Sequence, residues 1–408
     1  MLSMGTMCDT CVKPLVGSPP TRLVGEEGAS LPLGRLLGHE LAIDAGSESI
    51  KVLPRGGEPP GGVVVIPSLV ARAEPGGGGF LRSDVAGEAA RLLAARAEGA
   101  GAGRPGAVST GVAIRRPILR GAVADVATAA RLFEHVFQEA PGRRWGSRPR
   151  VLCGVGAGTT VVEQQALAAA LESAGARRVR LVPSLAACAL TLQRCATDGA
   201  NGRAEGSAFF VMEMGTGRTG FGLASSAGVL AAASIPIGSR DIDRALAGQL
   251  RRRGLVVTES DAGRLRRDLG LPAPGVRDDG LPVRAAARLS ACGRCPPAQA
   301  GTQTGDLADI EEVLPRHVGA AAGPFLTYLA DEVRRLLARS PVGAVEDLLE
   351  GGLVLAGGPA ATPGLAERLA ADLALPVRVA PDPANLAVTG LALLLEEGRL
   401  IEGLAAEF

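Results

Sequence analysis

The sequence predicts an α/β fold, because apolar strand-like runs alternate with amphipathic helical stretches and glycine-bearing turns separate them along the chain. Three stretches of one design support this prediction most strongly: LAIDAGSES (41–49), FFVMEMGTGRTGFGL (209–223) and GGLVLAGGPAATPGL (351–365). Each is an apolar, partly β-branched run, as is typical of a buried strand, and each breaks at a turn that contains glycine. We therefore expect three buried strands that end in similar loops.

The first two of these loops also carry an acidic residue, Asp44 and Glu213, just before their glycines. Glycine allows backbone N–H groups to approach a phosphate closely, and a carboxylate beside it can hold a metal ion or a water molecule. A single loop of this kind would mean little in a chain with 57 glycines. Three loops in this order indicate a phosphate-binding cleft.

Length and charge limit the classes of function. With 408 residues the chain has room for two or three domains, and its net charge of +1 excludes a partner held by strong charge attraction, such as nucleic acid. No apolar run is as long as a membrane span, and the first residues lack the apolar core of a signal peptide. These features predict a cytosolic protein.

The seven cysteines include two C-x-x-C pairs, Cys8 with Cys11 and Cys292 with Cys295. Together the pairs could supply four thiolates to a zinc ion. They are far apart in the sequence, one in a tail and one in a polar loop, and nothing adjacent strengthens the pattern. We interpret them as chance pairs and predict no metal site made of cysteines.

Four further segments complete a set of seven ordered matches. Together with the three loops they resemble the bacterial actins of rod-shape determination, the MreB and Mbl type, over about 41–395. They are similar to the family's A-I-R-P-x-[KR]-x-G-V-I-A-D stretch, its next strand, loop and helix, its G-G-D-x-x-D-x-A-I segment and its closing L-P-V-x-V-A-x-D-P. In this chain the four segments are GVAIRRPILRGAVADVATAARLFEHVF (111–137), RPRVLCGVGAGTTVVEQQALAAALESAGARRVRLV (148–182), IPIGSRDIDRAL (235–246) and LPVRVAPDPANLAVTG (375–390).

The resemblance implies the two-lobed, actin-like fold of the actin, chaperone and sugar-kinase superfamily, with a nucleotide cleft between the lobes. Residues 1–38 are rich in glycine, proline and serine, which predicts a disordered extension. The first lobe is expected at 39–195, with 385–408 returning to it. The second lobe is expected at 205–384, including a flexible loop at about 278–306.

The resemblance also implies a nucleotide site for ATP with Mg²⁺. The family's hairpins are D-L-G-T-A-N-T and D-I-G-G-G-T-T-E, its adenosine segment is E-[ER]-I-K, and its last loop is G-G-G-A. In the adenosine segment this chain loses the glutamate and has arginine in place of lysine. The matching positions, which we take as candidate nucleotide-binding residues, are Asp44, Gly46, Ser47, Glu48, Ser49, Glu213, Gly215, Thr216, Gly217, Arg218, Gly263, Arg264, Leu265, Arg266, Gly357, Gly358, Pro359 and Ala360.

Two charged residues depart from the family's hairpins. Glu48 does not match the first hairpin, and a carboxylate about 4 Å from a phosphate charge is disfavoured by about 4 kcal/mol at an effective dielectric constant near 20. Arg218 brings a cation into the second hairpin, which faces the first. Either Arg218 contacts the phosphates and offsets Glu48, or the two side chains pair and fill a vacant pocket, because guanidinium suits phosphate and carboxylate alike.

The hydrolytic position departs further. The family has E-E-P-x-A-A-A, with a glutamate that orients the attacking water, whereas this chain has VPSLAAC (182–188), and Ser184 takes the place of the glutamate. Loss of such a base lowers a rate by roughly 10²- to 10⁴-fold, and serine cannot act as a base at neutral pH. Pro359 also removes an N–H that could have faced the nucleotide. We therefore assign no catalytic residue and expect a weakened ATP switch.

The only tryptophan, Trp145, lies in a loop beside Arg143 and Arg144. The resemblance places a short membrane-dipping loop here, although a tryptophan packed on its own lobe is the alternative. The surrounding proline, glycine and arginines favour an exposed loop, so we predict that Trp145 contacts the inner face of the cytoplasmic membrane.

The resemblance implies a cytoskeletal protein in the cytoplasm, peripheral on the inner face of the cell membrane. Its expected partners are copies of itself in homopolymer filaments, the membrane, and membrane proteins of cell-wall synthesis, with a role in cell shape or spore-wall assembly. A nucleotide-independent scaffold that kept the fold is the alternative. A third hypothesis is an ATPase or phosphotransferase of the same superfamily, but Ser184 and Glu48 both disfavour it.

Overall fold

The computed structural model describes residues 39–55, 62–73, 84–99, 112–142, 148–197, 207–253, 255, 257–272, 287–288, 312–340, 348, 351–397 and 406–407. The predicted extension at 1–38, both C-x-x-C pairs, and Trp145 with Arg143 and Arg144 lie outside these residues. The loop predicted at about 278–306 also lies outside them, apart from residues 287 and 288.

The described strands follow the α/β alternation that the sequence predicts. In chain order they are β1 (Glu40–Ala45), β2 (Ser49–Pro54), β3 (Val64–Pro67), β4 (Val70–Ala73), β5 (Val85–Ala86), β6 (Val112–Arg115), β7 (Ile118–Leu119), β8 (Ala122–Val123), β9 (Arg150–Val155), β10 (Arg178–Pro183), β11 (Phe209–Met214), β12 (Thr219–Ser225), β13 (Gly228–Ile235), β14 (Ala287–Arg288), β15 (Glu312–Val313), β16 (Leu353–Ala356), β17 (Val377–Val379) and β18 (Ala406–Glu407).

The described helices lie between these strands. They are α1 (Gly87–Gly99), α2 (Val126–Glu139), α3 (Val161–Ser173), α4 (Ser184–Thr197), α5 (Ser239–Arg252), α6 (Glu259–Leu269), α7 (Pro315–Leu337), α8 (Leu365–Leu373) and α9 (Leu386–Glu396), with a 3₁₀ turn at Gly358–Ala361.

Two sheets share one strand pattern. The first has the order β18-β10-β9-β1-β2-β3 and the second the order β13-β12-β11-β16-β17. In each, an antiparallel three-stranded meander (β1-β2-β3 or β11-β12-β13) is extended by two parallel strands on the side of its first strand, and in the first sheet the short β18 adds an antiparallel edge. The two halves of the chain therefore bring equivalent hairpins, β1–β2 and β11–β12, to equivalent places.

The central strand β1 is buried on both faces, which explains its unbroken apolar run. Leu41 and Ile43 join the core under α2 and α3, whereas Ala42 faces α9 on the other side of the sheet. In β2 the side chains alternate instead: Ile50 and Val52 are fully buried, and Lys51 lies on the opposite face. This alternation directs the Lys51 side chain away from the core.

Helices α4 and α9 pack closely against each other beside the sheets. Leu185 and Cys188 of α4 contact the second sheet at Phe209, while Val388 of α9 packs on the first sheet. A Cβ on Gly390 would lie 1.9 Å from the carbonyl oxygen of Ala187, so this crossing requires glycine.

Two helices of the first half of the chain begin at side-chain caps. The Asp125 carboxylate accepts hydrogen bonds from the backbone N–H groups of Ala127 and Thr128 at the start of α2. Thr160 and Glu163 form a reciprocal capping box at the start of α3. These caps fix the N-terminal ends of α2 and α3, and the second brings a carboxylate to the cleft.

Candidate functional site

A cleft of about 460 Å³ lies where the two sheets meet, and most of the candidate residues line it. Its walls include both hairpins, the start of α4, the last loop of the second sheet and part of α6. The predicted residues that line it are Asp44, Gly46, Ser47, Glu48, Ser49, Ser184, Glu213, Gly215, Thr216, Gly217, Arg218, Arg266, Gly357, Gly358 and Pro359.

The two hairpin turns have the same geometry. The N–H of Gly46 donates to the carbonyl of Ser49 at 3.2 Å, and the N–H of Gly215 donates to the carbonyl of Arg218 at 2.8 Å. A Cβ would lie 2.6 Å from the Ser49 oxygen at Gly46 and 2.8 Å from the Arg218 oxygen at Gly215. Both turns therefore require glycine because the backbone closes tightly on itself, although neither glycine has a positive φ.

An acidic pair with one lysine lies at the inner end of the cleft. The Lys51 ammonium is 2.7 Å from Asp44 Oδ2, and both residues are directly opposite each other in the β1–β2 ladder. Burial opposes the charge on Lys51, but the adjacent Asp44 carboxylate and the nearby Glu213 outweigh burial and raise the pKa of the ammonium. Lys51 therefore stays cationic beside Asp44.

Glu213 on β11 completes this group. Burial raises the pKa of its carboxyl to about 7, the Asp44 charge adds to the effect, and Lys51 opposes it. Glu213 therefore changes its protonation state near neutral pH. Sequence reasoning identified both carboxyls but missed Lys51, although the period-two pattern of β2 could have placed it on the face of Asp44.

Glu48 does not pair with Arg218, so the second of the two alternatives, a direct pair between them, is wrong. The Glu48 carboxylate instead accepts hydrogen bonds from Arg116, at 3.2 Å, and from Arg240 of α5. The side chain of Glu48 is 54% exposed, so it lies at the mouth of the cleft and not among the turn N–H groups. Its charge is compensated by two arginines, neither of which sequence reasoning identified.

Arg218 reaches across the cleft to α3. Its guanidinium lies 3.3 Å from the Glu163 carboxylate and 3.3 Å from the Thr159 hydroxyl. The Arg218 side chain is only 17% exposed, and its Nε has no hydrogen-bond partner among the described residues. The Arg218 side chain is therefore held against α3, with its Nε buried and unpaired.

A second polar atom in the cleft also lacks a partner. Ser239, the first residue of α5, is fully buried and lines the cleft, and its hydroxyl finds no hydrogen bond within the described part of the chain. Sequence reasoning missed this residue because a serine in a glycine-containing turn is unremarkable by itself. Ser239 is therefore a polar side chain of the cleft wall that makes no hydrogen bond within this part of the protein.

Only one residue of the predicted adenosine segment lies at the cleft. Gly263, Arg264 and Leu265 do not line the cleft: Arg264 pairs with Asp261 at the surface, and Leu265 is in the core of the second sheet. Consecutive residues of a helix point in directions about 100° apart, so four neighbours on α6 cannot share one face. Arg266 does line the cleft.

Arg266 lines the cleft and is also held by a buried ion pair and a hydrogen bond. Its guanidinium donates to Asp243 at 2.6 Å and to the Thr362 hydroxyl at 2.7 Å. Burial raises the pKa of the Asp243 carboxyl, and the Arg266 charge opposes that effect. A Cβ on Gly263 would lie 3.0 Å from Asp243, so this glycine makes room for the ion pair.

The predicted loop at 357–360 also lies only partly at the cleft. Gly357, Gly358 and Pro359 line the cleft, whereas Ala360 is buried in the second core and does not. Gly357 has a φ of 87°, and a Cβ there would lie 2.1 Å from the Met214 carbonyl oxygen, so only glycine fits. Ser184 begins α4, is buried, and lines the cleft at the place predicted for the hydrolytic residue.

These features match one family along almost the whole chain. The sequence profile of the MreB/Mbl protein family matches residues 39–402. The chain belongs to the MreB/Mbl family. The cell shape-determining protein MreB of Escherichia coli K12 is 27% identical over 363 residues, which cover 88% of this chain and 94% of that protein. The cell shape-determining protein Mbl of Bacillus subtilis is 24% identical over 364 residues, which cover 88% and 97%.

Solved structures agree with the MreB/Mbl assignment. MreB5 of Spiroplasma citri bound to AMPPNP superposes with a TM-score of 0.68 at 18% identity, covering 90% of this chain and 99% of that one. A MamK double helical filament gives a TM-score of 0.65 at 15% identity, covering 88% and 98%. The predicted family and actin-like fold are confirmed, and membership of the MreB/Mbl family makes the chain an actin-like cytoskeletal protein.

Proposed function

We propose that this protein polymerises into filaments that bind the inner face of the cytoplasmic membrane and organise cell-wall synthesis, in cell shape or in spore-wall assembly. The observation that supports this most directly is the two-sheet cleft with its paired hairpins, in a chain that matches the MreB/Mbl family over residues 39–402. Each copy would contribute one subunit, and membrane proteins of cell-wall synthesis would be its partners.

The ligand of the cleft is an adenine nucleotide in this proposal. The tight turns at Gly46 and Gly215 shape the two loops, and the unsatisfied Ser239 hydroxyl and Arg218 Nε offer polar atoms. Residues of this chain would bind and orient the phosphates. The Arg266 side chain, already held by Asp243, would border the opposite wall.

Hydrolysis is expected to be slow in this proposal. Ser184 lines the cleft, and by the sequence resemblance it takes the place of the family's water-orienting glutamate. Its hydroxyl can hold a water without acting as a base. We therefore infer a weakened switch, which is also the reason to set aside an ATPase or phosphotransferase enzyme.

A nucleotide-independent scaffold is the second candidate, and one observation favours it. Ion pairs already connect elements of the two sheets across the cleft: Arg218 with Glu163, and Arg240 with Glu48. A cleft held together by its own side chains needs less help from a ligand to adopt a closed shape.

Polymerisation of the full purified chain tests the proposal. Electron microscopy and sedimentation would be carried out with ATP, with ADP and with no nucleotide, and mass spectrometry would identify any co-purified nucleotide. Filaments that depend on nucleotide are expected. Filaments that form equally well after nucleotide removal would favour the scaffold, and the absence of filaments in every condition would contradict both.

The membrane part of the proposal depends on Trp145 and its arginines, which lie outside the described residues. Among the residues that the structure describes, no helix is both long and apolar enough to cross a membrane. The proposed contact is peripheral, with one short loop per subunit. Many copies in a filament would add their weak contacts.

A further inference from the structure

Lys51 lies beside the two carboxyls that could hold a metal ion in the cleft. Asp44 and Glu213 are the two carboxyls that precede the hairpin glycines, and both line the cleft with Lys51. The Lys51 ammonium is 2.7 Å from Asp44 Oδ2, which is the distance of a charge-assisted hydrogen bond. One carboxylate oxygen of the pair is therefore already bound to a cation supplied by the chain itself.

The surroundings of Lys51 do not fit a resident Mg²⁺ well. Magnesium requires near-ideal octahedral geometry and keeps several waters, so it needs space and free carboxylate oxygens. In nucleotide sites it is held through one or two carboxylates together with phosphate oxygens and waters. Asp44 is one of the two carboxyls placed for this role, and it already accepts a hydrogen bond from the largely buried Lys51 ammonium, so an ion at Asp44 would have to displace Lys51.

The Lys51 ammonium can supply part of the positive charge that a divalent ion would supply to the phosphates. It is a compact cation with three donors, so it can hold the Asp44 carboxylate and a phosphate oxygen at the same time. Lys51 is one of two lysines in a chain that otherwise uses arginine for its positive charge. Arginine, with its planar fork, would not occupy the same small volume.

We propose that Lys51 replaces the divalent cation of the nucleotide site, so that the cleft binds a nucleoside triphosphate without Mg²⁺. This inference rests on the proposed function, because it assumes that the cleft binds nucleotide. It adds the residue that neutralises the phosphates and the ionic condition under which binding occurs.

The test measures binding of a fluorescent N-methylanthraniloyl derivative of ATP to the full-length protein, in excess Mg²⁺ and in EDTA. The wild-type Kd is expected to differ less than about threefold between the two conditions. Lys51→Met keeps the length of the side chain and removes its charge. Its Kd in EDTA is expected to rise at least tenfold, and Mg²⁺ is expected to restore part of the affinity because Asp44 is then free.

Each result has a distinct meaning. Wild-type binding that requires Mg²⁺ would overturn the inference and leave the proposed nucleotide site intact. A Lys51→Met variant that binds in EDTA as well as the wild type would also overturn it. No binding by the wild type in either condition would refute the nucleotide site itself, and the inference with it. Because the first comparison needs only the wild type, misfolding of the variant cannot remove the test.

Discussion

The Arg218 guanidinium on the second hairpin lies 3.3 Å from the Glu163 carboxylate on α3, so an ion pair joins elements of the two sheets across the cleft. Glu163 also caps α3 together with Thr160, and these hydrogen bonds hold its carboxylate in place. The hydrogen bond from the Thr160 N–H does most to lower the pKa of Glu163. Burial raises that pKa, and the Arg218 charge lowers it further. The helix cap therefore holds the Glu163 carboxylate in place independently of Arg218.

This pair predicts a measurable coupling that nucleotide should alter. In a double-mutant cycle with Arg218→Ala and Glu163→Ala, we expect a coupling of about 0.5–1 kcal/mol in thermal unfolding without nucleotide. If Arg218 turns to the phosphates, the coupling should decrease when ATP saturates the cleft. The exposed pair Arg131 and Glu134 on α2 is the matched control and should show almost none. Additive effects at Arg218 and Glu163 in both conditions would exclude a bridging role.

Glu48 provides the second prediction. Its carboxylate engages Arg240 and Arg116 at the mouth of the cleft. Removing it should release Arg240 toward the phosphates and remove a negative charge, so Glu48→Ala should strengthen nucleotide binding about fivefold, equivalent to roughly 1 kcal/mol. Fluorescence titration with a labelled ATP measures this, with Glu134→Ala as the surface control. Equal or weaker binding by Glu48→Ala would show that the ion pairs at the mouth help to hold the ligand.

The partners of Glu48 and Arg218 also show what the sequence could not predict. The strands, the glycine turns and the acidic residues follow from local patterns, because each is encoded within a few neighbouring residues. The pair of Glu48 with Arg240 joins residues 192 apart, and that of Arg218 with Glu163 joins residues 55 apart. Such pairs depend on how helices pack on sheets, and the sequences of the two hairpins do not show that packing.

The orientation of α6 about its axis explains why most of the predicted adenosine segment does not line the cleft. The family motif pointed to the segment at 263–266, but a motif does not tell which side of α6 faces the cleft. Only Arg266 of the four lines it, and the neighbouring Arg267 does so as well. The hydrogen bonds of Arg266 to Asp243 and Thr362 require three segments to converge, and this convergence is a property of the folded chain.

Ser184 predicts slow turnover that a carboxylate should restore. Phosphate release by the wild type with saturating ATP is expected to stay near background. Ser184→Glu should raise it, within the roughly 10²- to 10⁴-fold range of a general base, provided that ATP binds in register. Ser184→Gln supplies similar bulk without a base and should stay inactive. The site is tight, because a Cβ on Gly154 would lie 2.9 Å from the Ser184 hydroxyl oxygen, so unfolding curves of both variants are needed. Wild-type turnover equal to that of an intact relative would refute the weakened switch.

Glu213 makes stability depend on pH. Burial raises the pKa of its carboxyl from 4.5 to about 7, so the folded protein holds this proton more tightly than the unfolded chain does. Stability attributable to Glu213 is therefore present below about pH 4.5 and is lost as pH rises toward 7. Glu213→Gln cannot ionise and should exceed the wild type above pH 7 by on the order of 3 kcal/mol.

Chemical unfolding of both proteins between pH 5 and pH 8 measures this difference. The gap between them should widen up to about pH 7 and then stay constant. Asp44 and Lys51 line the cleft with Glu213, the buried Cys188 thiol lies near it, and Lys51 is expected to remain charged over this range. Glu134→Gln on the surface serves as a control. Parallel pH profiles for the wild type and Glu213→Gln would contradict the raised pKa.

Trp145 provides the last prediction, which concerns residues outside the described part of the chain. A fully inserted tryptophan gains at most about 5 kcal/mol from about 200 Å² of apolar area, and each nearby arginine adds about 1 kcal/mol on anionic lipid. Once ordering costs are included, a single subunit should bind only marginally, and a filament should bind well because its contacts add. Liposome sedimentation of monomer and polymer at low and high salt should show this difference.

The fluorescence of Trp145 reports the contact directly, since this is the only tryptophan in the chain. Under assembly conditions, anionic liposomes should shift its emission to shorter wavelength, and brominated acyl chains should quench it. Trp145→Ser should abolish sedimentation with liposomes while filaments still form. Replacing Arg143 and Arg144 by glutamine should weaken binding chiefly at low salt, because their attraction to the headgroups is screened by ions. Emission that is already at short wavelength in lipid-free monomer, and that liposomes leave unchanged, would place the ring in a protein core.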